Sequence, residues 1–280
     1  MSGDLDTGAE ITWCTGCGNF GILAAVKKAV KKLEENGIPR EDIVISTGIG
    51  CHGKIFDYLD LSGIYSLHGR EVASAEGIKL GNPDLKIIAF GGDGDCYGEG
   101  LAHLLFAAKR NIDITVIVHN NGAYALTTGQ ASPTSPKGFK GPATPAGSVE
   151  PPIEPIGLLL SAGASFVARG YAGKVKHLSD LIVQAVEHPG FAHIDVLQPS
   201  VVFTDYYEEY NELVDELEDT RSTKFEAMEL AKESDRLPIG VFYREERATY
   251  EEELLRTRNP VKDRLSDEKR SKEIRDFLDM

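Results

Sequence analysis

The run Gly91-Gly92-Asp93-Gly94-Asp95 follows directly on an apolar segment, residues 86–90, and is answered by Asn120-Asn121-Gly122 at the end of a second apolar segment, residues 113–119. Both segments are short, rich in β-branched residues and bounded by turn residues, the pattern of strands buried on both faces. Residues 97–109 between them carry helical spacing. Strand, helix and strand in this order make one right-handed crossover, so the two strands run parallel and end on the same edge of a sheet. Open α/β sheets bind ligands at that edge. The glycines let the backbone approach a diphosphate, and a helix beginning near Gly94 turns its N–H groups and positive dipole end toward it. Asp93 and Asn121 bring one carboxylate and one amide oxygen to the same place. Mg2+ takes such hard oxygens and completes its octahedron with a backbone carbonyl, phosphate and water. The Gly-Asp-Gly triplet alone is equally a tight turn; the strands and helix around it favour the binding reading.

A second constellation lies upstream. Trp13-Cys14-Thr15-Gly16-Cys17-Gly18 precedes a helical pattern over 20–33, and Gly48-Ile49-Gly50-Cys51-His52 closes a strand over 43–46. A Cys-x-x-Cys beside a helix start serves as a redox dithiol, a zinc half-site or part of an iron–sulfur site, and its spacing leaves these open. Position discriminates where spacing does not, since Cys51 ends a strand on the edge that carries the diphosphate turn.

The triplet followed by paired asparagines resembles the diphosphate-binding motif of thiamine diphosphate enzymes. The ordered set WCTGCG, GIGC with Lys54 after it, SLHGR at 66–70, GGDGD, HNNGAYALTTGQASPT at 119–134, DVLQP at 195–199 and PIGVFYREE at 238–246 is similar to the β subunit of 2-oxoacid:ferredoxin oxidoreductases, over essentially the whole chain. The resemblance implies an α/β fold, a doubly wound, mostly parallel sheet of the thiamine diphosphate-binding type over 1–204, with a C-terminal helical extension or arm over 205–280. It implies thiamine diphosphate, Mg2+ and a [4Fe–4S] cluster. Asp93, Asn121 and the carbonyl of Ala123 then hold Mg2+, and Gly94, Asp95, Ala125 and Leu126 run along the cofactor. Ile49, Gly50, Cys51 and His52 line its other side, with His68 as a further contact. Lys54 is the candidate catalytic cation, facing a substrate carboxylate or coenzyme A; its plainer reading is an exposed lysine.

The cluster ligands implied are Cys14, Cys17 and Cys51. The family pattern has a fourth cysteine directly after LQP, where this chain has Ser200. A hydroxyl is a harder ligand than a thiolate, so Ser200 supplies an oxygen or leaves one iron open, and a labile cluster follows. Cys96 falls in the diphosphate turn and is read as a small side chain near the cofactor, not a ligand. The implied reaction is coenzyme A-dependent oxidative decarboxylation of a 2-oxoacid, pyruvate, 2-oxoglutarate or a broad range, to acyl-CoA and CO2 with reduction of ferredoxin. Thr128 stands where some relatives carry lysine, which weakens selection for a distal carboxylate. A second α/β domain supplies the glutamate that activates the aminopyrimidine in such enzymes, and only one doubly wound unit is legible here. An α subunit is therefore the expected partner. A non-redox thiamine decarboxylase or carboligase would share the diphosphate motifs but has no use for the three cysteines. A regulatory Cys-zinc module is the non-enzymatic alternative.

Composition narrows the setting. The 280 residues are 41% hydrophobic, enough for a core, and the net charge of −14 disfavours nucleic acid and anionic membrane as partners. Four cysteines without a disulfide-like spacing point to a reducing, cytoplasmic compartment. The start, residues 1–10, is polar and lacks a signal pattern, and no apolar run reaches the roughly 20 residues that span a bilayer. The loop 123–155, rich in Gly, Pro, Ser and Thr, is long enough to suggest a functional role. Helix 156–161, strand 165–168, helix 175–188 and strand 192–197 continue the alternation to about residue 202. Acidic helices over 206–219 and 224–233, a short strand at 239–243 and a charged terminal run follow.

Overall fold

The computed structural model describes residues 5–232 and 235–279; the first residues of the polar start, the end of the helix expected over 224–233 and the last residue of the terminal run lie outside them. The chain passes from α1 (Asn19–Glu35) to β1 (Ile43–Thr47), then through a short α2 (Ile55–Tyr58) to β2 (Ser62–Tyr65) and along α3 (Glu71–Gly81) to β3 (Lys86–Gly92). A π-helical turn, Asp95–Glu99, leads into α4 (Leu101–Arg110) and β4 (Thr115–Asn120). The hairpin of β5 (Ala123–Tyr124) and β6 (Gln130–Ala131) opens the long loop before α5 (Pro155–Ala162). There follow β7 (Phe166–Tyr171), α6 (Val175–Glu187), β8 (Ala192–Leu197), α7 (Tyr207–Leu213), β9 (Val214–Glu216), α8 (Lys224–Ala231), β10 (Leu237–Arg244), α9 (Tyr250–Leu255) and α10 (Asp267–Leu278).

Eight strands form one sheet in the order β2-β1-β3-β4-β8-β7-β10-β9. The first six are mutually parallel, β10 pairs antiparallel with β7, and β9 runs parallel to β10. Side chains alternate across the sheet, as strand periodicity requires. Ile88 and Phe90 of β3 pack with α1 and α6 on one face, while Ile87 and Ala89 pack with α3, α4, α5 and α8 on the other. The doubly wound, mostly parallel fold expected from the sequence is present. The chain reverses direction across the sheet between β1 and β3, and a crevice opens at such a switch point beyond the strand ends.

Three elements depart from the sequence reading. The helix expected from near Gly94 is preceded by the π-turn, in which Gly100 N–H reaches Asp95 O at 2.7 Å. The loop around Gly69 crosses so close to Gly100 that a side-chain carbon on Gly69 would stand 2.5 Å from its nitrogen. The acidic run 206–219 is helical only to Leu213; Val214, Asp215 and Glu216 then pair with Leu237, Pro238 and Ile239. Partly buried Val214 and Leu217 pack against core clusters there, which outweighs the helix propensity of the acidic residues. Finally, residues beyond 205 contribute two strands to the same sheet, and Phe242 of β10 is fully buried.

Candidate active site

The turn after β1, the turn after β3, the end of β4 and the β5–β6 hairpin enclose one pocket. Ile49, Gly50, Cys51, His52, His68, Asp93, Gly94, Asp95, Asn121, Ala123, Ala125 and Leu126 all line it. His119, Tyr124, Thr127 and Gln198 also contribute; they lie within the motifs at 119–134 and 195–199, but the sequence does not single them out as site residues. The pocket floor is cut to the backbone: a side-chain carbon on Gly94 would meet the Tyr124 ring at 2.2 Å, and one on Gly92 would meet His52 Nδ1 at 2.8 Å.

Asp93 is buried at the end of β3, and its Oδ2 accepts from Ser132 Oγ at 2.5 Å and Thr134 Oγ1 at 2.6 Å. Burial pushes its pKa up, against the pull of these hydroxyls. A bound cation would reverse that shift, because it favours the charged carboxylate directly. Thr134 Oγ1 also lies 2.8 Å from Asn120 Oδ1, so its one proton is shared between Asp93 and Asn120 and ties the ends of β3 and β4 together through the long loop. Asn120 Nδ2 is held on Asp195 at 3.0 Å, and Asn121 Oδ1 accepts from Ala123 N at 3.0 Å. A buried carboxylate, an adjacent amide oxygen and a floor without side chains fit Mg2+ and a diphosphate.

Asp95 lies deeper. Its Oδ1 is 2.5 Å from His68 Nδ1 and accepts from Gly69 N at 3.2 Å, and its Oδ2 is 2.6 Å from His52 Nε2. Behind it stands Glu71, whose Oε1 accepts from Cys96 Sγ at 3.1 Å. Cys96 therefore points into the core on the α3 side and does not line the pocket. His119 is fully buried, with Nδ1 2.8 Å from Asn19 Oδ1, and burial holds its pKa well below the usual imidazole value. It is a neutral ring at the back of the pocket.

A second cavity of about 220 Å3 adjoins the first. Cys14, Cys17, Cys51, Lys54 and Ser200 line it, and Cys51, Asn121, Ala125 and Leu126 belong to both walls. Gly16 adopts φ +85°, which lets Cys17 N–H bond back to Cys14 O at 3.0 Å and folds the Cys-x-x-Cys into a tight loop. Trp13 Nε1 donates to Cys51 O at 2.6 Å, fixing the two cysteine loops against each other. Burial raises the Cys17 thiol, and the neighbouring Cys51 and Cys14 raise it further; burial also raises Cys51, with Lys54 opposing. Ser200 is buried and pairs through its backbone with Thr204 at 3.0 Å in both directions. Lys54 Nζ donates to Thr12 Oγ1 at 2.7 Å in this cavity and is absent from the lining of the first pocket. Among the described residues no three His, Cys, Asp or Glu side chains converge on a single-ion site. Thiols spread around a cavity suit a multi-iron cluster, whose ligands bind different iron atoms.

Comparison with known proteins is consistent with this geometry. The family model for the C-terminal thiamine pyrophosphate-binding domain of thiamine pyrophosphate enzymes matches residues 48–196, and that for the C-terminal part of the pyruvate ferredoxin oxidoreductase beta subunit matches 202–259. The chain is 45% identical over 266 residues to the 2-oxoacid:ferredoxin oxidoreductase subunit beta of Saccharolobus solfataricus, covering 89% of this chain and 86% of that one. It is 42% identical over 185 residues to the 2-oxoglutarate synthase subunit KorB of Archaeoglobus fulgidus, covering 66% of this chain and 68% of that protein. A solved 2-oxoglutarate:ferredoxin oxidoreductase from Magnetococcus marinus, with 2-oxoglutarate, coenzyme A and succinyl-CoA bound, superposes with a TM-score of 0.88 at 34% identity, covering 97% of this chain and 94% of that one.

Proposed function

As a member of the 2-oxoacid:ferredoxin oxidoreductase β-subunit family, this chain is an oxidoreductase subunit with a thiamine diphosphate-binding domain, and we propose that it performs that role through two adjoining chambers. In the first, Asp93, Asn121 and the Ala123 carbonyl hold Mg2+ and through it the diphosphate. Gly94 and Asp95 approach the cofactor from the β3 side, Ala125 and Leu126 from the hairpin, and Ile49 to His52 from β1. His68 closes the side near Glu99, 3.3 Å from its carboxylate. Thiamine diphosphate supplies the electron sink that lets a 2-oxoacid lose CO2. The chain's own task is to bind, orient and exclude water.

The second chamber is the proposed [4Fe–4S] site, with Cys14, Cys17 and Cys51 as thiolate ligands and Ser200 opposite. The carrying observation is the shared wall: Cys51 borders both chambers, so a cluster ligand stands directly beside the cofactor position. A non-redox thiamine enzyme gains nothing from that arrangement. In this reading Lys54 offers its charge to an anionic group near the second chamber, a substrate carboxylate or coenzyme A. An α subunit supplies the pyrimidine-side domain, ferredoxin takes the electrons, and the products are acyl-CoA and CO2. The names and ligands of the relatives favour a substrate range that includes 2-oxoglutarate. No helix among the described residues is long and apolar enough to cross a membrane, and thiol ligands suit a reducing cytoplasm.

Anaerobic co-expression with the α partner, followed by viologen or ferredoxin reduction, tests the reading. Coenzyme A-dependent reduction with pyruvate, 2-oxoglutarate or 2-oxobutyrate is expected, in protein that carries iron and thiamine diphosphate. Decarboxylation without reduction, in protein devoid of iron, would establish the non-redox alternative.

A further inference from the structure

Glu71 opens α3 with its side chain fully buried beneath the turn that follows β3. Its Oε1 accepts from the Cys96 thiol at 3.1 Å, and its backbone carbonyl accepts from Ser46 Oγ at 2.9 Å. Its Oε2 has no hydrogen-bond partner, whereas Oδ2 of Asp95 has His52 Nε2 at 2.6 Å. These two oxygens flank one point: a side-chain carbon on Gly48 would stand 2.0 Å from Asp95 Oδ2 and 2.7 Å from Glu71 Oε2. The titratable groups facing Glu71 are Asp95 and Cys96 from the π-turn and His52 from the turn after β1. Among the described residues no lysine or arginine is paired with Asp95, whose ion-pair contacts are His52 and His68.

Two carboxyl groups in one dry site do not both ionise, and the proton stays where fewer donors support a charge. Asp95 has a backbone N–H and two imidazoles around it. Glu71 has one thiol, a weak donor. We propose that Glu71 is a neutral positioning residue, which donates its carboxyl proton to Asp95 and so fixes the anion against which His52 and His68 are aligned at the pocket wall.

The hydrogen-bond inventory then closes. Glu71 Oε1 accepts from Cys96, Oε2–H donates to Asp95 Oδ2, and His52 presents Nε2–H to the same anion. The Nδ1 of His52 is thereby left over the bare glycine floor, where side-chain carbons on Gly50 and Gly92 would approach it to 2.9 and 2.8 Å. Burial, and next the charge of Asp95, push the Glu71 pKa up to about 7. Below that pH the alignment is intact; as the pH rises through it, a second negative charge appears beside Asp95.

The consequence for the cofactor rests on the thiamine diphosphate reading of the pocket, whereas the proton itself does not, and two measurements separate them. Infrared spectroscopy of the cofactor-free complex with the α subunit, at about pH 6, is expected to show a carboxylic-acid carbonyl band that Glu71→Gln removes. Calorimetric titration with thiamine diphosphate and Mg2+ is expected to give roughly tenfold weaker binding at about pH 8.5 than at about pH 6 in the wild type. Glu71→Gln, of the same shape, uncharged and still a donor, should bind equally at both. A missing acid band, a band that survives Glu71→Gln and disappears in Asp95→Asn, or the same pH dependence in Glu71→Gln overturns the proposal. A band that behaves as expected in protein that binds no thiamine diphosphate upholds the proton on Glu71 and refutes the cofactor reading.

Discussion

Among the described residues Asp93 gains two hydroxyl donors but no cation, and in the proposed site a metal would provide for its charge. Asp93→Ala should therefore abolish retention of Mg2+ and thiamine diphosphate while circular dichroism and the melting profile stay close to wild type, because the side chain sits at a strand end and fills little core. Retention of both would remove Asp93 from the site. Ser200 and Cys96 form a paired test of the cysteine chamber. Ser200→Cys should raise iron content and oxygen tolerance, since a thiolate replaces a harder ligand or an open iron. Cys96→Ala should leave iron nearly unchanged, as its thiol is engaged by Glu71 behind the diphosphate turn. Iron and sulfide analysis of anaerobically purified complexes reads both, and loss of iron in Cys96→Ala with no response in Ser200→Cys would reverse the ligand assignment.

Strand β8 carries His193 and Asp195 on one face, and Tyr97 from the π-turn meets both, its hydroxyl 3.0 Å from His193 Nε2 and 2.8 Å from Asp195 Oδ1. Tyr97→Phe removes the link between the π-turn and β8 and should cost about 1–3 kcal/mol in urea unfolding, since buried partners are left unsatisfied. Burial pushes the His193 pKa down to about 3. A depressed imidazole contributes stability that is present above its unfolded pKa and is lost as the pH falls toward the folded value. His193→Gln should accordingly show a smaller drop in unfolding midpoint between about pH 6.5 and about pH 4 than the wild type. Asp195, pushed up to about 6 chiefly by burial, works in the opposite sense, its contribution fading as the pH rises through that value. The same elements show what the sequence makes legible. β3 and β4 are apolar on both faces along most of their length and read directly as strands; β8 reads as one although one of its faces carries His193 and Asp195. β2 is exposed along its whole length and contains Gly63, so only its pairing with β1 makes it a strand. α3 buries Glu71 and Lys79 beside Val72 and Ala75, and charged residues on the inner face erase the apolar stripe that would have announced a helix. In the site, Asp93 and Asn121 are legible because they end strands, whereas Ser132, Thr134 and Glu71 arrive by loop closure and helix packing.

The tail adds two strands to the sheet of the rest of the molecule. β10 extends the parallel strands through β7, and α8 covers it beside α5. Phe242→Ala should destabilise by about 3–5 kcal/mol and shift a single unfolding transition, whereas a separately melting arm would give a second transition. If an α subunit supplies the pyrimidine-side domain as proposed, the chain alone should turn over no 2-oxoacid. Turnover by the isolated chain at the rate of the complex would show that the α subunit is dispensable. One consequence reaches past the site itself. Where the two chambers meet, the barrier is a single layer of residues, Cys51, Asn121, Ala125 and Leu126. With both chambers filled as proposed, electrons would have only that layer to cross, and any substitution that thickened it would throttle the current without touching the chemistry on either side.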